Sequence, residues 1–182
     1  MRVYFNFTTL FLPLLITFTA MSEVAIIPKD RFLGCMVSNI YFESIGESDL
    51  GKIAVAQVVN QRVKCKQYQY KSINNVCEAI TYGAEKSGCA FSWQCDNKLN
   101  NIYLDNDVAI RNWNNVVEIS QIMLSKSPFV IEELKGATLF HAEGSNPWWI
   151  NEDDVVFIAQ IDHHLFYSEE GRCESGHFGI SK

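Results

Sequence analysis

Glu43 and Glu47 stand four residues apart in the stretch Tyr41-Phe42-Glu43-Ser44-Ile45-Gly46-Glu47. The apolar positions before them (Leu33, Met36, Val37, Ile40 and Tyr41) follow one face of a helix, so Glu43 falls at its C-terminal end. The helix dipole disfavours a negative charge there and raises a carboxyl pKa. Phe42 beside it adds desolvation in the same direction. A carboxyl held protonated near neutral pH is a general acid. Periodicity alone favours a plainer reading, in which Glu43 and Glu47 are surface acids one helical turn apart.

The other reactive side chains are more restricted. Six cysteines (Cys35, Cys65, Cys77, Cys89, Cys95 and Cys173) form an even set, which allows up to three disulfides. Fifteen connectivities are open, and a fully paired set leaves no thiol nucleophile. The chain has no C-x-x-C, and this weighs against zinc. His141-Ala142-Glu143 has the H-x-E spacing of zinc deaminases, but no P-C-x-x-C follows it. His163 and His164 are adjacent, and in a strand they point to opposite faces and do not chelate together. His164 is then expected as a hydrogen-bonding support. Ser92 has no paired base and is not a credible nucleophile.

Gly46 follows the first helix and is a candidate stop signal. Ser48 is a candidate N-cap for a second helix running to about Lys64. Ser72 is a candidate cap for a short helix through Cys77 and Ile80, and a loop follows from Tyr82 to Gly88. Ala109, Trp113, Val116, Val117, Ser120, Met123 and Leu124 give helical spacing from about Asn106 to Lys126, stopped by Ser127-Pro128. Residues 137–141 predict strand, and residues 155–167, rich in β-branched and aromatic residues, predict strand in one piece or two. Helices followed by a small sheet predict an α+β fold.

The chain has 182 residues, 48% of them hydrophobic, with a formal net charge of −6. That balance suits one globular domain and excludes the basic face of a nucleic-acid binder. It also predicts weak salt dependence of binding to anionic polymers. Residues 1–22 stand apart. Arg2 is their only charge, Phe11 to Ile16 is apolar, and Ala20-Met21-Ser22 suits a cut after Ser22. This predicts a signal peptide, or an uncleaved N-terminal anchor, with residues 23–182 as the delivered domain.

Several ordered segments resemble the SleB-type cell wall hydrolases. Tyr41 to Glu47 with Gly51 to Val63 looks like that family's opening. Val76 to Ile80 continues it, and Cys89-Ala90-Phe91-Ser92-Trp93-Gln94-Cys95-Asp96 is similar to its C-x-F-S-W-x-C-D segment. Phe140-His141-Ala142 with Pro147-Trp148, and Ile161 to Tyr167, resemble its Y-H-A…P-x-W and I-G-x-H-x-F-Y segments. Together they cover roughly residues 33–168 in order.

The resemblance implies a lysozyme-like or resuscitation-factor-like helical core with a small closing sheet. It implies cleavage of peptidoglycan glycan strands by lytic transglycosylation, without cofactor or metal, by an exported and monomeric protein. Glu43 takes the general acid/base role by position, with Glu47 as a possible second carboxylate. Phe91, Trp93, His141, Trp148, His164 and Tyr167 become substrate-binding candidates, although any one aromatic among them could equally be core. A membrane contact is expected only through residues 1–22. A hydrolytic muramidase and a non-catalytic wall-binding protein are the alternatives. Two departures stand out. Ser44-Ile45 replaces the family's usual Ala-Arg, removing a possible charge partner, and Asp162 replaces a glycine.

Overall fold

The computed structural model describes residues 23–84, 88–171 and 173. The expected signal or anchor segment, residues 1–22, lies outside them. No helix among the described residues is long and apolar enough to cross a membrane. The fold is α+β, with a helical core, a small open sheet and three disulfides.

Helix α1 spans Arg31–Ser44 and α2 spans Asp49–Lys64. Asp30 caps α1 by accepting from the Leu33 N–H, and Ser48 caps α2 by accepting from the Gly51 N–H. Ala54, Val55, Ala56, Val58 and Val59 are all fully buried, so α2 is covered on most sides. It packs against α1, the short α3 (Val76–Thr81), α4 (Asp107–Met123) and the sheet. The cap of α3 is Asn75 rather than the expected Ser72: its side chain accepts from the Glu78 N–H, while Glu78 accepts from the Asn74 N–H and the Asn75 side chain. Gly46 does not end α1 in a left-handed turn; the helix ends at Ser44 with Ile45 still in helical geometry.

A two-residue strand β1 (Glu23–Val24) pairs antiparallel with β2 (Tyr103–Leu104). Strands this short carry no periodicity, which is why sequence reasoning misses them. The main sheet contains β3 (Ala137–Ala142), β4 (Val155–Ile161) and β5 (His164–Glu169), in the order β3-β5-β4 and antiparallel throughout. The expected strand region 155–167 is thus a hairpin turning at Asp162–His163. Its inner face places Ala137 and Phe166 against Ala54, Val58 and Leu134.

The disulfides are Cys35–Cys77, Cys65–Cys173 and Cys89–Cys95. The first joins α1 to α3. The second ties the end of α2 to the chain beyond β5. The third closes a small loop around the 3-10 turn Ser92–Gln94.

Candidate active site

Glu43 lies in the last turn of α1. Its Oε1 is buried and has no hydrogen-bond partner among the described residues. Burial is the largest cause of a pKa raised from 4.5 to about 7. Three influences oppose it: the Arg62 guanidinium first, then the backbone N–H groups of Ser92 and Trp93. Those two N–H groups open a 3-10 turn, where the first donors have no partner within the turn. The upward direction agrees with the sequence argument, and desolvation, one of the two causes expected there, is the largest one.

The turn is held against α1 by its own aromatic side chain. Trp93 stacks on Phe42 with ring centroids 4.9 Å apart. Its Nε1–H donates to Asn39 Oδ1 at 3.1 Å, and Asn39 is fully buried one helical turn before Glu43. The Cys89–Cys95 bridge closes the loop from outside.

Arg62 comes from the apolar run of α2 and is 5% exposed. Its Nε–H donates to the Thr138 carbonyl of β3 at 2.8 Å, and its guanidinium lies 4.8 Å from the Phe91 ring centre. Nη1 is buried without a partner among the described residues. Ile45 carries no charge, and Arg62 on α2 is the side-chain charge acting on Glu43. Sequence reasoning gave Arg62 no role, although it falls in the Gly51 to Val63 segment that resembles the family and is a charge inside an apolar run.

Glu47 lies in the turn between α1 and α2 and faces the β4–β5 turn. The His163 N–H donates to Glu47 Oε2 at 3.2 Å, and His163 Nδ1 lies 3.3 Å from the same oxygen. His164 Nδ1 lies 4.0 Å from Glu47 Oε1. The two histidines therefore converge on one carboxylate, contrary to the alternating-face expectation, because His163 is a turn residue and escapes the strand pleat. His164 is 6% exposed and edge-on to Phe140. Burial holds its pKa below the ordinary histidine value, with Glu47 pulling the other way.

Asp162 adopts φ +49°, the left-handed conformation in which glycine is favoured. Its carboxylate has a use that glycine lacks. The Ser48 N–H and hydroxyl donate to Asp162 Oδ2 at 2.9 and 2.6 Å, holding its pKa below the usual carboxylate range. Gly51 makes room for this contact: a Cβ there would lie 2.4 Å from Asp162 Oδ2 and 2.8 Å from Glu47 Cβ.

The sheet separates the remaining candidates. Phe140, His164 and Phe166 occupy its inner face. His141 and Tyr167 occupy the outer face, where their rings stack 5.4 Å apart and both meet Trp149 edge-on. Ala142 O can only accept, so in the neutral ring His141 Nδ1 donates to it at 2.9 Å. Nε2 then accepts from the Tyr167 hydroxyl at 3.0 Å. Trp148 is 80% exposed, while Phe91 is 2% exposed and packed in the core beside Phe140. The structure thus sets Trp93 beside Glu43, Phe91 under the Arg62 guanidinium and His164 beside Glu47, and places His141 and Tyr167 across the sheet.

Residues 46–167 match the family model described as Cell Wall Hydrolase, a span that includes Glu47 and begins just after Glu43. No curated protein and no solved structure matches the chain. The model covers well over half of the chain, and the chain belongs to the SleB-type cell wall hydrolase family, whose substrate is peptidoglycan.

Proposed function

We propose that this chain is an exported lytic transglycosylase with Glu43 as its general acid and base. The observation that supports this reading best is the buried Glu43 carboxyl, raised to about 7 beside the Arg62 cation and two backbone donors. A group poised there is protonated in a large fraction of molecules at neutral pH and can also stand as the carboxylate. In the proposed reaction the Glu43 carboxyl gives its proton to the glycosidic oxygen as the C1–O bond breaks. The Glu43 carboxylate then takes the proton of the muramyl 6-hydroxyl as that oxygen bonds to C1. The product carries a 1,6-anhydromuramyl end, and Glu43 is again protonated.

Trp93 and Trp148 offer ring surface for the flat apolar faces of the sugars. His141 and Tyr167 act through the 142–149 loop, which they brace from the outer face. Phe91 and His164 support the site from below its surface. Glu47 holds the β4–β5 turn in place and is the second candidate for the acid.

The test incubates the oxidised protein with purified peptidoglycan and identifies soluble fragments by mass spectrometry. The expected products carry anhydromuramyl ends. Reducing ends would replace transglycosylation by hydrolysis. Binding to sacculi without fragments would replace the enzyme by a wall-binding protein.

A further inference from the structure

The small β1–β2 pair has two faces of the same character. Side chains alternate along a strand, so Ala25 and Ile102 turn inward, where they are buried in the helical core, and Leu104 packs against that core. Val24, Ile26 and Tyr103 turn outward. Val24 and Tyr103 are directly opposite each other in the antiparallel register, each 50% exposed, and Ile26 is 81% exposed. An antiparallel pair with one face in water normally sets polar residues on that face. Here the outward row is apolar. Ile27, Phe32 and Val108, at the starts of the helices that follow the two strands, are exposed as well.

The chain that enters this face is also apolar. Between Arg2 and Glu23 there is no charge, and β1 begins at Glu23. The stretch from Phe18 to Glu23 reaches at most about 17 Å. A domain joined to an apolar segment by so short a tether stays at the surface of whatever holds that segment, with β1 nearest to it.

We infer that the β1–β2 face is a membrane-contact surface: with residues 1–22 retained as an anchor, Val24, Ile26 and Tyr103 seat in the lipid interface and hold the domain against the bilayer. Exposed apolar side chains gathered around one element mark a contact surface, and tyrosine suits the boundary between lipid and water. The charges beside the face balance: Lys29 and Arg31 stand against Asp105 and Asp107. The contact is therefore driven by apolar area rather than by attraction to anionic headgroups. The face is fixed to the helix that carries Glu43. Ile27 Cγ2 and the Pro28 carbonyl both lie 3.1 Å from where a Cβ on Gly34 would stand, so the chain leaving β1 presses on α1. Phe32 opens α1 and Glu43 lies in its last turn, up to about 16 Å further along the axis. This inference stands whichever residue is the acid.

The test uses the full chain, synthesised cell-free with vesicles of phosphatidylethanolamine and phosphatidylglycerol, where no signal peptidase acts. Ile26→Trp and Tyr103→Trp place an indole on the face. Phe129→Trp is the control, because Phe129 is exposed beyond the other end of α4. Wild-type emission is subtracted, and a lipid with a nitroxide near its headgroup is the quencher. Quenching is expected to remove about half or more of the added emission at 26 and 103, and less than about a tenth at 129. About 1 M salt leaves it unchanged.

Inserting about ten Gly/Ser residues between Ser22 and Glu23 separates attraction from tethering. Quenching at 26 is expected to survive the insertion, and to fall at least about threefold when Val24→Ser and Tyr103→Ser are added to it. Quenching lost on insertion alone would mean that the tether, not the face, holds the domain there. Equal quenching at 129, or loss of quenching in high salt, would likewise contradict an apolar contact through this face. An indole at 26 that emits in the blue yet escapes the nitroxide would put a second copy of the chain on the face instead of lipid. A chain that does not float with the vesicles would overturn both the anchor and the face.

Discussion

In the role proposed for it, Glu43 must be acidic enough to protonate a leaving oxygen and basic enough to recover a proton afterwards. Burial pushes it toward the neutral form, while Arg62 and two backbone donors pull it back, and the balance lies at about 7. The same balance has a cost in stability. Between pH 4.5 and about 7 the folded chain retains a proton that the unfolded chain has lost, so stability falls as pH rises through that window. Glu43→Gln is therefore expected to be more stable than wild type at pH 8, by roughly 2–3 kcal/mol, and to match it at pH 4. Urea denaturation at the two pH values measures this; equal stability at both would mean that Glu43 titrates normally. The carboxyl itself was legible in the sequence, since helical spacing places it at the end of α1. Its partners were not. Arg62 reads as an interruption of an apolar helix, and the Ser92 and Trp93 amides are backbone groups that no side-chain pattern reveals.

Between α1 and α2 the chain turns within four residues, and the β4–β5 turn clamps that corner. Asp162 is central to it, holding Ser48 at the start of α2 from a left-handed backbone. Asp162→Ala removes both hydrogen bonds and leaves the strained φ, for an expected loss of about 2–3 kcal/mol. Asp162→Gly relieves the strain and should cost about half as much. Thermal unfolding of the two variants tests the order, and a reversed order would contradict the capping role. Gly51→Ala forces a methyl onto Asp162 and Glu47, so an expected loss of at least about 2 kcal/mol accompanies reduced turnover. The elements themselves were legible. α1 and α4 carry clear apolar periodicity, α2 is apolar on most sides, and the β-branched run near the end becomes β4 and β5. That this run divides in two was an open reading, but the place of the turn at Asp162–His163 was not legible, because a single Asp without a glycine is a weak turn signal.

Across the whole molecule the three disulfides divide stability from activity. Cys65–Cys173 spans 108 residues and Cys35–Cys77 spans 42, whereas Cys89–Cys95 spans only 6. Loop-closure entropy then gives about 4–5, 4 and 2 kcal/mol respectively. Replacing both cysteines of the long bridge by serine should lower the melting temperature most and leave residual activity in the folded fraction. Replacing Cys89 and Cys95 should lower it least, yet reduce turnover most, since that loop presents the Ser92 and Trp93 amides to Glu43. Melting curves and initial rates of the double variants check this, and activity that simply follows melting temperature would contradict it. Composition and the even cysteine count indicated one disulfide-stabilised α+β domain. The pairing was not legible, because it depends on which elements meet in space.

The central claim is that Glu43, rather than Glu47, is the acid. The direct measurement is the initial rate of fragment release from peptidoglycan by wild type, Glu43→Gln and Glu47→Gln, each first shown to be folded. Glu43→Gln is expected to lose about a thousandfold or more, and Glu47→Gln to retain measurable turnover with a less stable β4–β5 turn. Turnover retained by Glu43→Gln and abolished in Glu47→Gln would contradict the account and move the acid to Glu47.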